Sequence, residues 1–318
     1  MQKDSRAGTR VEKIMVVAKK SWRESVNGKF LLFQFSDKEG QLKGVLWQVP
    51  DWVDRDIGVN DVVRVQGELK DYQGNIELHI EKIERLESGE YDQSLFLPAS
   101  SRSLESMYNE LLNVISEVSN PHIRRLLETI FGSDAFRKDF STSPAAKSWH
   151  HSYIGGLLEH TYDMLKLALR AADVYPEVDR DLLVAGVLLH DIGKIQEFSV
   201  TNNIDYSDRG RLEGHIALGV EFVSEYIRGI EDFPEELELR IKHMILSHHG
   251  SLENGSPVVP MTVEAMILHY IDNLDAQVRG ALQILSRQSG DRERWTEYVR
   301  LLNRYIYRGD NDSEDNEG

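Results

Sequence analysis

The apolar residues of this chain change their spacing once, near residue 100. From about residue 10 to 90 they recur with a period near two, as in KFLLFQFSD and DVVRVQGELKDY, which is typical of strands. After residue 103 they recur every three or four positions, which is typical of amphipathic helices. At 318 residues the chain is long enough for two cores. The sequence therefore predicts an all-β domain followed by an all-α domain.

The order of elements in the first part predicts a particular barrel. Five strands are separated by turns that contain Gly or Asn, and the segment PDWVDRDIGVND after the third strand suits a short helix. Five strands with a helix after the third is the layout of an OB-fold. We therefore expect a flexible N-terminus at residues 1–9 and an OB-fold domain at residues 10–90.

The second part is expected to be a helical bundle over residues 104–308, joined to the barrel by a Ser- and Pro-containing linker at 91–103. Its last predicted helix is RWTEYVRLLNRYIY. Residues 309–318 carry five acids and no base, which predicts a disordered acidic tail.

Composition restricts the chemistry and the compartment. The chain has no cysteine, so a metal here must be held by imidazole and carboxylate. No apolar run approaches the roughly 18 residues of a membrane span, and the N-terminus lacks a signal peptide's apolar stretch, which predicts a cytoplasmic protein without a membrane partner. The net charge of −16 argues against a nucleic-acid partner, because binding a polyanion needs a basic surface. Residues 10–50, however, hold eight Lys or Arg against four acids, so a basic patch is available locally.

Five predicted helices each offer a metal ligand, which is how helical bundles build metal sites. The candidates are His160, His190, Asp191, His215, His248, His249 and Asp272. One ion would take His160, His190, Asp191 and Asp272, and Asp191 would bridge to a second ion held with His215 and His248 or His249. Two such ions would clamp the attacking and leaving oxygens of a phosphodiester. Asp191, Lys194 and His215 are the predicted catalytic residues, with Lys194 neutralising phosphate charge.

A single histidine on an apolar helix face is more often a hydrogen-bonded core or surface residue than a ligand. The adjacent His190 and Asp191, however, end the apolar segment LLVAGVLL. Burying them there without partners would cost on the order of a few kcal/mol. The set as a whole therefore favours a metal site.

The pattern of His160, then His190-Asp191, then Asp272 resembles that of the HD-domain phosphohydrolase superfamily. His215 and His248-His249 resemble the members that hold two metals. The segments PAAKSWHHSYIGGLLEHT, HDIGK and GHIALG resemble, more narrowly, the YhaM-type bacterial 3′-to-5′ exoribonucleases, which pair an OB-fold with an HD domain.

The resemblance implies trimming of single-stranded RNA, and by extension single-stranded DNA, from the 3′ end to nucleoside 5′-monophosphates. It favours manganese, in one or two ions, while Fe, Ni, Co, Zn and Mg also suit the donors. His150 and His151 match the family's paired histidines and would contact the scissile or an adjacent phosphate, with a packing and capping role as the alternative.

OB barrels bind single strands through stacking aromatic rings and a basic groove. Near predicted turns, Trp22, Phe30 and Tyr72 are the stacking candidates, with Lys19, Lys20, Lys29 and Lys43 for the phosphates. Alternation along the strands instead assigns Leu31, Phe33 and Phe35 to the barrel interior, and Trp47 is also expected in the core.

Two alternatives remain at this point. One is an HD-domain phosphodiesterase of cyclic dinucleotides or nucleotides, since a fold does not decide its substrate. The other is a non-catalytic single-strand-binding regulator. Whether copies of the chain form a homo-oligomer is left open by the sequence.

Overall fold

The structure is a computed structural model that describes residues 7–26, 28–38, 40–72, 74–87, 89–91, 96–147, 149, 151–287 and 294–309. The chain divides into two compact units. The first comprises Met1–Ala99 and Ser199–Asp205, and the second comprises Ser100–Phe198 and Tyr206–Gly318. The N-terminal unit therefore includes a short segment from the second half of the chain.

A closed five-stranded barrel forms the N-terminal unit. Its strands are β1 (Arg10–Ser25), β2 (Gly28–Asp37), β3 (Gly40–Leu46), β4 (Val62–Tyr72) and β5 (Asn75–Leu86), and helix α1 (Asp51–Asp56) follows β3. The strands close in the order β1-β2-β3-β5-β4. Neighbouring pairs are antiparallel except β3 and β5, which are parallel. This is the predicted OB-fold layout, with the predicted helix after the third strand.

Alternation along β2 fills the barrel as predicted. Leu31, Phe33 and Phe35 are fully buried, and the two phenyl rings stack with centroids 5.3 Å apart. The prediction that Trp47 belongs to the core is wrong, because its side chain is 38% exposed. Leu46, the last residue of β3, points inward and is buried, so the next side chain in an extended backbone points outward.

The C-terminal unit consists mostly of helices. These are α2 (Leu104–Ser116), α3 (Pro121–Phe131), α4 (Asp134–Thr142), α5 (Gly156–Val174), α6 (Arg180–Leu189), α7 (Lys194–Glu197), α8 (Asp208–Leu212), α9 (Gly214–Arg228), α10 (Glu235–Ser247) and α11 (Val263–Arg287). Side chains of Ser103, Asn120, Ser133 and Asp179 cap the starts of α2, α3, α4 and α6. None of the described helices is both long and apolar enough to cross a membrane.

Helix α6 lies at the centre of this unit. Every residue from Leu182 to Leu189 is buried, and the helix packs against α3, α5, α10 and α11. An apolar helix surrounded by others delivers whatever follows its last turn into the interior. The residues that follow are His190 and Asp191, which are also buried.

Two segments depart from the predicted succession of helices. Strands β6 (Phe198–Val200) and β7 (Ile204–Tyr206) form a short two-stranded sheet. The helix predicted at RWTEYVRLLNRYIY does not form. Residues 294–309 instead fold back on themselves through isolated bridges between Trp295 and Tyr307 and between Val299 and Arg304. Asn303 adopts a left-handed φ of 53°, which reverses the chain, and the rings of Trp295 and Tyr307 pack 4.9 Å apart.

Candidate metal centre and barrel groove

The seven predicted metal ligands come together inside the C-terminal unit. They are His160 on α5, His190 and Asp191 directly after α6, His215 on α9, His248 and His249 directly after α10, and Asp272 on α11. His160, His190, Asp191 and His248 are buried, and the other three are partly buried. Helices that end or pass at the same point of the bundle thus place donors from five directions around one centre.

All five of these histidines share one hydrogen-bonding pattern, in which Nδ1 contacts an oxygen; for His249 this oxygen is the Asn254 carbonyl at 3.0 Å. The Nδ1 atoms of His160, His190, His215 and His248 contact, respectively, the Asp275 carboxylate (2.7 Å), the Val187 carbonyl (2.9 Å), the Glu197 carboxylate (3.0 Å) and the Ile245 carbonyl (2.7 Å). A proton on Nδ1 donates to each of these oxygens, which leaves the Nε2 lone pair available. Outer partners of this kind fix the ring and tautomer of metal-binding histidines.

One donor group is formed by His160, His190 and Asp272. The Nε2 atom of His160 lies 3.4 Å from Asp272 Oδ1, 3.6 Å from Asp191 Oδ2 and 3.3 Å from His190 Nε2. The His190 Nε2 atom lies 3.3 Å from the same Asp191 oxygen. Four donor atoms that converge at these distances can hold a metal ion.

A second donor group adjoins the other oxygen of Asp191. Its Oδ1 atom lies 3.6 Å from both His215 Nε2 and His248 Nε2, and His215, His248 and His249 also place ligand atoms within reach of one another. Among the described residues, Asp191 Oδ1, His215 Nε2 and His248 Nε2 are buried without any hydrogen-bond partner. Buried polar atoms left in this way are costly, and a cation between them would satisfy all three.

The electrostatics of the first group also favour a cation. Burial lowers the pKa of the His160 imidazole, but the hydrogen bonds to Asp272 and Asp275 outweigh it and raise this pKa to about 10. The carboxylates around His160 therefore attract a positive charge, which a metal ion would supply in place of a proton. For His248, burial is the largest effect and lowers the pKa well below its usual value, so the ring is neutral.

Lys194 pairs with the shared carboxylate. Its Nζ atom lies 2.6 Å from Asp191 Oδ2. Burial raises the pKa of Asp191, but the Lys194 ammonium and the neighbouring His190 imidazole more than offset it and hold this pKa well below its usual value. Asp191 is therefore ionised, which is the form that binds metal.

A pocket of about 410 Å³ opens beside these residues. It is lined by Trp149, Lys194, His249, Asn254, His269, Asp272, Asn273 and Ala276. The side chain of Lys194 and one ligand from each donor group are therefore accessible from a single cavity, which has the volume of a small-molecule or nucleotide site.

His151 is buried next to His160, and its predicted contact with a substrate phosphate stays a prediction. The residue is 2% exposed, its Nε2 atom contacts Asp275 Oδ2 at 3.0 Å, and its Nδ1 atom contacts the Tyr153 hydroxyl at 2.8 Å. Both ring nitrogens are engaged in these contacts. His151 thereby holds the carboxylate that orients His160. His150 lies outside the described residues.

The barrel carries a groove of about 720 Å³ on its outer face. It is lined by Lys19, Ser21, Arg23, Leu32, Phe33, Gln34, Gln41, Lys43, Gly74, Asn75 and Ile76. After the register shift between Val17 and Lys19, alternate residues of β1 point to this face. Three cationic side chains from two strands therefore line one groove.

Of the residues predicted to bind a strand, Lys19 and Lys43 line this groove and the others do not. Lys20 donates to the carbonyls of Asp54 and Ile57, and Trp22 Nε1 donates to the Asp54 carboxylate, so both are tied to the region of α1. The Phe30 ring packs on Trp47 with centroids 4.6 Å apart. Lys29 and Tyr72 are exposed beyond the lining.

Comparisons with known proteins agree with both parts of the fold. A family model described as HD domain matches residues 157–277, and one described as OB-fold nucleic acid binding domain matches residues 14–86. Two relatives named 3′-5′ exoribonuclease YhaM, from Listeria monocytogenes serotype 4b and Listeria innocua serovar 6a, are each 36% identical over 277 residues, covering 86% of this chain and 88% of theirs. This chain belongs to the YhaM family of 3′-5′ exoribonucleases.

Membership of the YhaM family confirms the resemblance inferred from HDIGK and its neighbouring motifs. Among solved structures, the chain is similar to a small single-stranded DNA-binding protein from Streptomyces coelicolor, at 17% identity and a TM-score of 0.22, over 24% of this chain and 92% of that one. These values are too low to bear on function.

In this YhaM-family site, the sequence prediction missed two carboxylates and a tryptophan. Asp275 follows Asp272 by three positions on α11, and Glu197 follows Lys194 by three on α7, so each lies one helical turn beyond a predicted site residue. This helical spacing is the sequence signal from which the two carboxylates could have been predicted. Trp149 precedes α5 in a segment without periodicity, and no pattern in the sequence indicated its position in the pocket.

Proposed function

We propose that this chain is a metal-dependent exoribonuclease that hydrolyses single-stranded RNA from the 3′ end and releases nucleoside 5′-monophosphates. One observation carries the proposal: two donor groups meet at Asp191, within a chain whose relatives are named 3′-5′ exoribonuclease YhaM. Single-stranded DNA is a further substrate that the same phosphodiester chemistry would accept.

His160, His190, Asp191 and Asp272 would hold one divalent ion, and Asp191, His215, His248 and His249 a second. We favour Mn²⁺ on the family resemblance, and the mixed imidazole and carboxylate donors also suit Fe, Ni, Co, Zn and Mg. A bound ion would supply Lewis acidity towards a phosphate oxygen and acidify a water for hydrolysis.

The protein's own residues have distinct tasks in this proposal. Asp191 serves both donor groups, one through each oxygen. Lys194, which lines the pocket while paired with Asp191, offsets the negative charge of the phosphate under attack. Glu197 holds the Nδ1 atom of His215 so that Nε2 stays directed at Asp191.

The barrel groove is the proposed site for the strand upstream of the cleaved end. Lys19, Arg23 and Lys43 would contact phosphates, and the apolar side chains of Leu32 and Ile76 would contact bases. This binding reads no sequence, because phosphate contacts position a strand without specifying it.

A time course on a 5′-labelled, unstructured oligoribonucleotide with Mn²⁺ tests the proposal. A descending ladder with release of nucleoside 5′-monophosphates is expected. Asp191→Asn should abolish the ladder and retain strand binding, while Asp208→Asn, at an exposed position of α8, should behave as the wild type. Internal cleavage, or shortening from the 5′ end, would contradict the proposal.

A cyclic dinucleotide incubated in parallel distinguishes the exoribonuclease from the main alternative, a cyclic-dinucleotide phosphodiesterase. Its hydrolysis beside intact RNA would assign the site to cyclic dinucleotides. Absence of hydrolysis of either substrate with every divalent ion tried would leave a non-catalytic single-strand-binding regulator.

A further inference from the structure

Trp149 lines the pocket beside the metal centre and has no part in the chemistry described so far. It shares the cavity with the metal-ligand candidates Asp272 and His249 and with Lys194. The remaining walls are mainly polar, and include the amides of Asn254 and Asn273. Of the residues described in this lining, Trp149 alone carries an indole, the side chain with the largest flat aromatic face.

The position of the indole is set by α11. A Cβ atom at Gly280 would lie 2.6 Å from Trp149 Cε2 and closer still to Cζ2, so the ring rests directly on the helix backbone. Asp272, Ala276 and Gly280 are four residues apart and therefore share one face of α11. With a rise of about 1.5 Å per residue, Gly280 lies about 12 Å from Asp272 along the helix axis. The ring and the metal ligand thus lie on the same face of α11, with small side chains between them.

Substrate in such a pocket needs an attractive contact apart from the metal ions. The carboxylates of Asp191, Asp272 and Asp275 repel a phosphate in part, and Lys194 is already paired with one of them. An aromatic face attracts any base, because every base presents a π surface. Stacking of that kind suits an enzyme that must accept each successive terminal nucleotide, whatever its identity.

We propose that Trp149 is the stacking platform for the base of the 3′-terminal nucleotide, held while its phosphodiester lies at the metal centre. The ligand class is a purine or pyrimidine nucleoside 5′-phosphate unit. This subsite rests on the proposed exonuclease function and adds to it a binding residue in the C-terminal unit.

The test compares two oligoribonucleotides that differ only in whether the 3′-terminal nucleotide carries a base or is abasic. For the wild type with saturating Mn²⁺, we expect kcat/KM to favour the base-containing strand by about 5- to 150-fold, the range of base–aromatic stacking. Trp149→Ala should lose most of this preference by slowing only on the base-containing strand. Trp149→Phe should be intermediate. Trp295→Ala, at a 52% exposed tryptophan outside the pocket, is the matched control and should keep the preference.

The results distinguish a failure of the exonuclease function from a failure of the stacking subsite. A wild type that hydrolyses neither strand contradicts the exonuclease function itself. A wild type that hydrolyses both strands equally overturns the stacking subsite and leaves the exonuclease function standing, as does a Trp149→Ala variant that keeps the full preference. If Trp149→Ala does not fold, Gly280→Ala gives a second reading, because alanine favours helix while its Cβ displaces the ring. The same drop in base preference is expected, and an unchanged preference overturns the subsite.

Discussion

The backbone of Gly193 lies against the backbone of His215. A Cβ atom at residue 193 would lie 2.6 Å from the amide nitrogen of Gly219, and closer still to the carbonyl oxygen of His215. Glycine at this position lets the turn after Asp191 approach α9 closely. That approach is what brings His215 Nε2 to 3.6 Å from Asp191 Oδ1.

Gly193→Ala should therefore weaken the second donor group while sparing the first. The added methyl group must push α9 away, which withdraws His215 from Asp191. We expect the affinity for the second Mn²⁺, and the hydrolysis rate with it, to fall by about 10- to 100-fold, as for changes that misplace a ligand. Calorimetric titration with Mn²⁺ measures this. Gly229→Ala, where the nearest atom is 3.3 Å away, is the control. If Gly193→Ala binds two ions with wild-type affinity, the close approach of residue 193 to α9 does not determine the geometry of the second donor group.

Asp275→Asn should lower metal affinity without removing a ligand. Asp275 accepts from His160 and His151, and an amide there can no longer hold the His160 ring with a full negative charge. The expected loss in Mn²⁺ affinity is about 10- to 100-fold. Excess Mn²⁺ should restore most of kcat, which would not happen if the variant were merely misfolded. Asp272→Asn, which removes a proposed ligand, should resist this rescue, and equal behaviour of the two variants would contradict the distinction.

Removal of metal should lower the thermal stability of the protein. Without an ion, Asp191 Oδ1, His215 Nε2 and His248 Nε2 are buried beside one another and lack partners among the described residues. An ion at about 100 times its Kd stabilises the folded state by about 2.7 kcal/mol. For a unit of this size that corresponds to about 5–10 °C in Tm. Calorimetry of chelated protein before and after Mn²⁺ is returned measures the shift, and Asp191→Asn should show much less of it. A Tm indifferent to Mn²⁺ would argue against a metal at this place.

Lys19→Ala and Lys20→Ala should differ although the residues adjoin each other. Lys19 lines the barrel groove, whereas Lys20 is occupied by the carbonyls of Asp54 and Ile57. In an Asp191→Asn background, Lys19→Ala should weaken RNA binding and reduce the slope of log K against log salt by about 0.7, the value for one lost phosphate contact. Lys20→Ala should keep the slope and lower the Tm. Fluorescence anisotropy at several salt concentrations measures RNA binding by each variant. The reverse pattern would exclude this groove as the RNA-binding site.

The features that could be predicted from the sequence are those with a periodic apolar pattern and those marked by several metal-binding residue types. The barrel followed from alternation, the helices from their period, and the ligand set from donors recurring on separate helices. Asp275 and Glu197 were missed because a carboxylate that orients a histidine has no pattern apart from its helical spacing. Trp149 was missed because its position depends on packing against Gly280, which is 131 residues away by their numbering.

The two errors in secondary structure have related causes. Strands β6 and β7 have three residues each, which is too few for a period of two to be seen. In RWTEYVRLLNRYIY, apolar residues at three- and four-residue spacing also suit a folded-back segment rich in aromatic side chains. There the pairing of Trp295 with Tyr307 replaces helical hydrogen bonding.

The chain passes between its two units three times, after Ala99, after Phe198 and after Asp205. The barrel unit is thus not a detachable N-terminal module, because Asn202 donates to the Asn60 carbonyl from a segment encoded more than a hundred residues later. No single cut of the chain therefore yields the two units with all of their residues. A gene fragment that ends at residue 99 would produce a barrel without that segment, and one that begins at residue 100 would carry a loop separated from the unit to which it belongs. Division of the chain at residue 99 would therefore remove from the barrel unit the segment that carries Asn202.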